Sequence, residues 1–202
     1  LGKQGEHILA AKRFSKAAYQ LKDYNTETDL KEDREKFDVL YNLCKSWESM
    51  ELAEEYNEPQ KYSEAANFFI EASNLTNDNK LRSFMTGNAK FCKALQLGLE
   101  FDILNDINLK ANKYYEIKTL IKESADLFKE AGFKTEEKWA LATASYIKAN
   151  WYLIKTDTEK NLEEKRKMRS YVSDLLKSAA KLFGEAGYKE KEKEVLDQLN
   201  LS

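Results

Sequence analysis

The sequence predicts an all-α protein: a right-handed superhelical stack of antiparallel helix pairs, an α-solenoid of about eight helices. Three observations lead there. One pattern returns four times, as Ala11-Phe14-Ala17-Ala18, Ala66-Phe69-Ala72-Ser73, Ala125-Phe128-Ala131-Gly132 and Ala180-Phe183-Ala186-Gly187. The copies begin 55, 59 and 55 residues apart, and a fixed-period echo of this kind marks an array of similar helical units. Composition agrees, with one Pro and 7 Gly in 202 residues, 34% charged and 42% hydrophobic. No alternating apolar run bounded by turn residues offers a strand.

The pattern has a physical reading. From the first Ala, offsets +3, +6 and +7 fall on one face of a 3.6-residue helix, so the copies present a stripe of Ala, Phe, Ala and a small residue. Small residues admit a neighbouring helix closely, and the Phe fills the space between backbones. Gly132 and Gly187 sit where a helix should stop, because Gly takes the left-handed C′ conformation at little cost. An aromatic follows at +8 in three copies, as Tyr19, Phe133 and Tyr188, with Asn74 in the other. Each copy is therefore expected to be the C-terminal part of a packed helix, followed by a tight turn.

Taken in order, residues 5–21 form the first helix, with His7 packed among Ala10, Ala11, Phe14, Ala18 and Leu21. The polar stretch 22–29 reads as a loop, with Thr28 or Asp29 able to cap the next helix and Glu32 as the reciprocal partner. A long helix spans about 30–56. On it Glu48, Glu51, Glu55 and Glu58 lie along one strip, read as a solvated face or, more sharply, as an acidic rim for a basic partner. Asn57-Glu58-Pro59 breaks that helix, and Pro59 suits the first turn of the next. Residues 79–101 form a helix whose small residues around Gly87 suggest a close crossing and not a phosphate loop. After a break at 102–108 a helix runs from about 106 to 131 without an internal turn. Residues 136–154 form the most aromatic helix, 155–158 a loop, about 158–186 the last long helix, and 189–201 a short closing one.

Leu52-Ala53-Glu54-Glu55-Tyr56, then Pro59, Ala65, Phe69 and Ala72, resembles a tetratricopeptide repeat (TPR). In that family Leu-small-x-x-Tyr on one helix precedes Ala-x-x-x-Phe/Tyr-x-x-Ala on the next. The implied unit, 46–79, has the family's 34-residue length. Trp47 stands two places from the family's first aromatic, and Asn77 replaces the usual terminal Pro. Residues 102–202 carry longer helices and are similar, in architecture alone, to soluble NSF attachment protein-type solenoids. The whole chain, 1–202, is expected to be one TPR-like helical-repeat domain. The resemblance implies a scaffold, chaperone adaptor or assembly factor.

Other function classes are disfavoured. A net charge of −2 and a pI near 5.7 speak against a general nucleic-acid binder, although a helical solenoid using the lysines of the C-terminal half is the alternative reading. His7, Cys44 and Cys92 are the only histidine and cysteines, too few for a structural zinc site, and both thiols suit buried small hydrophobes. A reducing, cytoplasmic setting is expected. No nucleophile with a base and no Glu-x-x-His is present, so no enzyme, metal or cofactor is expected. No apolar run is long enough for a membrane span. The partner expected is a peptide or helix of another protein, lying on the concave face. The candidate partner-binding residues are Asn88, Lys90, Lys93, Asn112, Lys148, Asn150 and Lys155. Self-association through an apolar end of the array is a further expectation.

Overall fold

A computed structural model describes residues 1–27 and 30–201 of the chain. Among the described residues the regular structure is all helical, with no strand. A short 3-10 turn at Gly2–Gln4 precedes α1 (His7–Glu27), α2 (Lys31–Tyr56), α3 (Pro59–Leu75), α4 (Asn79–Ile103), α5 (Ile107–Ala131), α6 (Lys134–Thr158), α7 (Leu162–Ala186) and α8 (Lys189–Leu201). The chain divides into two compact units, Leu1–Phe133 and Lys134–Ser202. Within each, consecutive helices pack on one another as an antiparallel stack. Among the described residues, no two helices further apart in the chain within a unit share a comparable interface.

Three of the four motif phenylalanines are buried, Phe69 and Phe128 at 0% exposed and Phe183 at 3%. Phe14 is half-buried and stacks on Trp47 at 6.4 Å, and Trp47 meets Phe69 edge-on at 5.3 Å. One indole thus joins α1, α2 and α3. Phe128 of α5 lies 6.1 Å from Phe84 of α4. Opposite it, a Cβ on Gly87 would come within 2.9 Å of the Phe128 ring, so the small residue there is what lets α4 and α5 close up.

The glycine ends of the third and fourth copies behave as expected. Gly132 and Gly187 take φ 80° and 85°. The Phe133 and Tyr188 amides donate to the carbonyls of Phe128 and Phe183, five residues back, at 2.8 and 2.9 Å. This 6→1 bond is the Schellman closure. The +8 aromatic then packs home, with Phe133 against Phe84 at 4.4 Å and Tyr188 stacked on Trp139 at 4.7 Å. The second copy, lacking Gly, ends at Leu75, and Arg82 donates to the Thr76 carbonyl at 2.6 Å.

The first copy departs from the expected form. Helix α1 does not stop after Ala18 but continues through 22–27, where a loop was expected, and Tyr19 is 68% exposed. Tertiary contact overrides the polar composition: Tyr24 stacks on Phe37 of α2 at 6.4 Å, and Asn25 donates to Asp38. The 155–158 loop is likewise helical, because Thr156 is buried and its hydroxyl bonds back to the Tyr152 carbonyl at 2.7 Å. Helix α7 starts at Leu162, with Asn161 accepting from the Glu163 and Glu164 amides. The cap expected at Thr28 or Asp29 lies outside the described residues.

Candidate partner-binding surface

The structure divides the seven candidate residues by what already holds them. In the first unit Asn88 is placed in the interior, 0% exposed, with its amide donating to the Phe84 carbonyl at 2.8 Å. It is not a surface group. Lys90 is ion-paired with Glu123 at 2.7 Å. Lys93 bonds Gln96 at 3.0 Å, Gln96 bonds Glu100 at 2.9 Å, and Lys113 of α5 closes the chain on Glu100 at 2.6 Å. The Lys113 ammonium holds the Glu100 carboxyl below its ordinary range. Asn112 is exposed on α5.

In the second unit Asn150 accepts from Gln198 of α8 at 2.9 Å, so it ties helices together. Lys148 and Lys155 differ. The Lys148 ammonium sits 5.0 Å from the ring centre of Tyr171 on α7, and the Lys155 ammonium 5.4 Å from that of Tyr152. The two rings meet edge to face at 5.0 Å. Neither lysine has a carboxylate within ion-pair distance among the described residues, whereas Lys138 pairs with Glu185, Lys167 with Glu163 and Glu164, and Lys189 with Glu192.

Helix geometry explains the grouping. Leu141, Ser145, Lys148, Tyr152 and Lys155 recur at alternating four- and three-residue steps and form one stripe along α6. Leu141 and Lys155 are exposed, and the three between them are half-buried. The opposite flank carries Tyr146, within 3.5 Å of Glu194, and Asn150, both directed at α8. The sequence points to the two lysines but to neither Tyr152 nor Tyr171 as their partners. The contact is made across helices, and no local spacing announces it.

A few other titratable groups are engaged or buried within the first unit. Half of the acidic strip is consumed within unit 1: Glu51 meets His7 at 2.6 Å, and Glu48 meets Lys45 at 2.6 Å, while Glu55 and Glu58 are exposed. The Tyr62 hydroxyl donates to Glu54 at 2.5 Å, and burial, then Glu54, pushes its pKa well up. Burial likewise raises the thiol of Cys92, which is 0% exposed, and that of half-buried Cys44. Both cysteines are free. Tyr62 and Cys92 are closed to any substrate. Among the described residues no cluster of three His, Cys, Asp or Glu could hold a metal, and no helix is long and apolar enough to cross a membrane. An open cleft lies between the end of α1 and the start of α2, lined by Lys22, Asn25, Arg34, Asp38 and Tyr41 among others.

No protein-family model, no curated protein and no solved structure matches the chain.

Proposed function

We propose that the chain is a non-catalytic, cytoplasmic interaction scaffold whose TPR-like helix pairs bind a peptide or helix of a protein partner. One observation carries the reading. Helices that pack mainly on their chain neighbours leave an uncovered flank, and on α6 that flank is a continuous half-exposed stripe joined by Tyr171 of α7. A stripe of alternating apolar, aromatic and cationic groups along one helix is what a second helix needs to lie against. The Leu52–Tyr56 and Ala65–Ala72 pattern supports the family likeness through α2 and α3, where Ala53, Ala65, Phe69 and Ala72 are buried together.

Affinity capture from extract of the source cells, followed by cross-link mapping, tests this. A stoichiometric protein partner cross-linked to α6 or α7 is expected. Recovery of no such partner, or cross-links confined to other helices, would count decisively against it.

A further inference from the structure

Resting on the scaffold reading, we infer that the α6–α7 stripe takes an acidic helix, one with carboxylates seven residues apart. Lys148 and Lys155 are themselves seven residues apart, two turns on one face and roughly 10 Å along the axis. A partner helix lying along α6 repeats that interval with acids at i and i+7. Both ammonium groups are positioned before any partner arrives, because each rests over a tyrosine ring and the rings brace one another at 5.0 Å. A charge held in place loses less freedom on pairing than one on a free chain. Lys148, Lys155 and the exposed Leu141 on the same stripe form a surface that an amphipathic acidic helix complements in charge and in apolar contact.

The same geometry separates a protein from a nucleic acid. Single strands bind by stacking bases on open aromatic faces along a basic groove. Here Tyr152 and Tyr171 each have a face under the chain's own lysine and meet each other besides. The unit that carries the stripe, residues 134–202, has 14 basic and 12 acidic side chains, and Lys138, Lys167, Lys181, Lys189 and Lys191 are all paired with glutamates. Two local ammonium groups suit two carboxylates better than a run of phosphates.

The test is selection of a displayed library of random peptides on the full chain, followed by anisotropy titration of the enriched peptides and of a labelled single-stranded oligonucleotide. Enriched sequences should carry acid pairs at i and i+7. Their affinity should fall with salt and drop about tenfold or more in the Lys148→Glu/Lys155→Glu double variant. The Lys148→Arg/Lys155→Arg variant, which keeps the charges, should bind within a few-fold of the parent. Circular dichroism of each variant excludes unfolding as the cause. Enrichment of peptides without acid pairs, or binding indifferent to the charge reversal, overturns the acidic-helix inference and leaves the scaffold reading standing. Binding of the oligonucleotide as tight as that of the best peptide overturns it in favour of nucleic acid. If no peptide is enriched and cell-extract capture also yields no partner, both readings fall.

Discussion

At the scale of single residues, glycines show how one atom changes sign with its setting. Gly132 and Gly187 hold φ near +80° at Schellman closures, where a Cβ strains the backbone. Replacing either with Ala should cost about 1–2 kcal/mol, read as a lower denaturant midpoint. Gly98, mid-helix on α4 with nothing within 4 Å of a built Cβ, should respond oppositely. Gly98→Ala is expected to stabilise by about 0.5–1 kcal/mol, since the chain loses entropy it did not need. The cysteines give a second check. Burial raises both thiols, so little thiolate forms near neutral pH. With a thiol reagent at mildly alkaline pH, half-buried Cys44 should react slowly and Cys92 not at all until the protein unfolds. Mass spectrometry of the labelled sites decides this. Rapid modification of native Cys92 would mean that the α3–α4 interior opens on its own.

At the scale of elements, the repeated stripe was legible in sequence because its offsets encode both a packing face and, in two copies, a stop. The ends missed at 22–27 and 155–158 were set elsewhere. Polar composition argued for loops, but Tyr24 on Phe37 and the buried Thr156 extend the helices through tertiary contact. Such contacts leave no local mark. Truncating the stripe residues should follow burial: Phe69→Ala and Phe128→Ala should each cost about 3–5 kcal/mol, and half-buried Phe14→Ala clearly less. The Glu100–Lys113 pair between α4 and α5 is a smaller, pH-dependent tie. Because the folded Glu100 titrates below its ordinary value, its contribution is present above the unfolded carboxyl's range and disappears as pH falls through the lowered one. Glu100→Gln should therefore cost about half a kcal/mol at neutral pH, discounted for solvent screening, and the gap to the parent protein should close in acid.

At the scale of the whole molecule, sequence reading reached the candidate surface only halfway. Lys148 and Lys155 share a helix and could be named from sequence, whereas the engagement of Lys90, Lys93 and Asn150 by Glu123, Gln96 and Gln198, residues remote or featureless in the pattern, could not. Which polar group remains available is a property of the assembled stack. The same neighbour-by-neighbour assembly governs how damage spreads. In the first unit the interfaces run α1 on α2, α2 on α3, α3 on α4 and α4 on α5, with no comparable contact skipping a helix among the described residues. Stability in such a stack is close to a sum of local terms and nearest-neighbour interfaces. Phe69→Ala empties the space beside Trp47, so α2 and α3 lose most, α1 and α4 less, and α5, held to α4 by the Phe84–Phe128 and Phe84–Phe133 contacts and the Glu100–Lys113 pair, least. Hydrogen exchange followed by mass spectrometry, comparing the variant with the parent, should show that gradient in lost protection. Equal loss across α1 to α5 would instead make the first unit one cooperative core, and the additive stack would have to be abandoned.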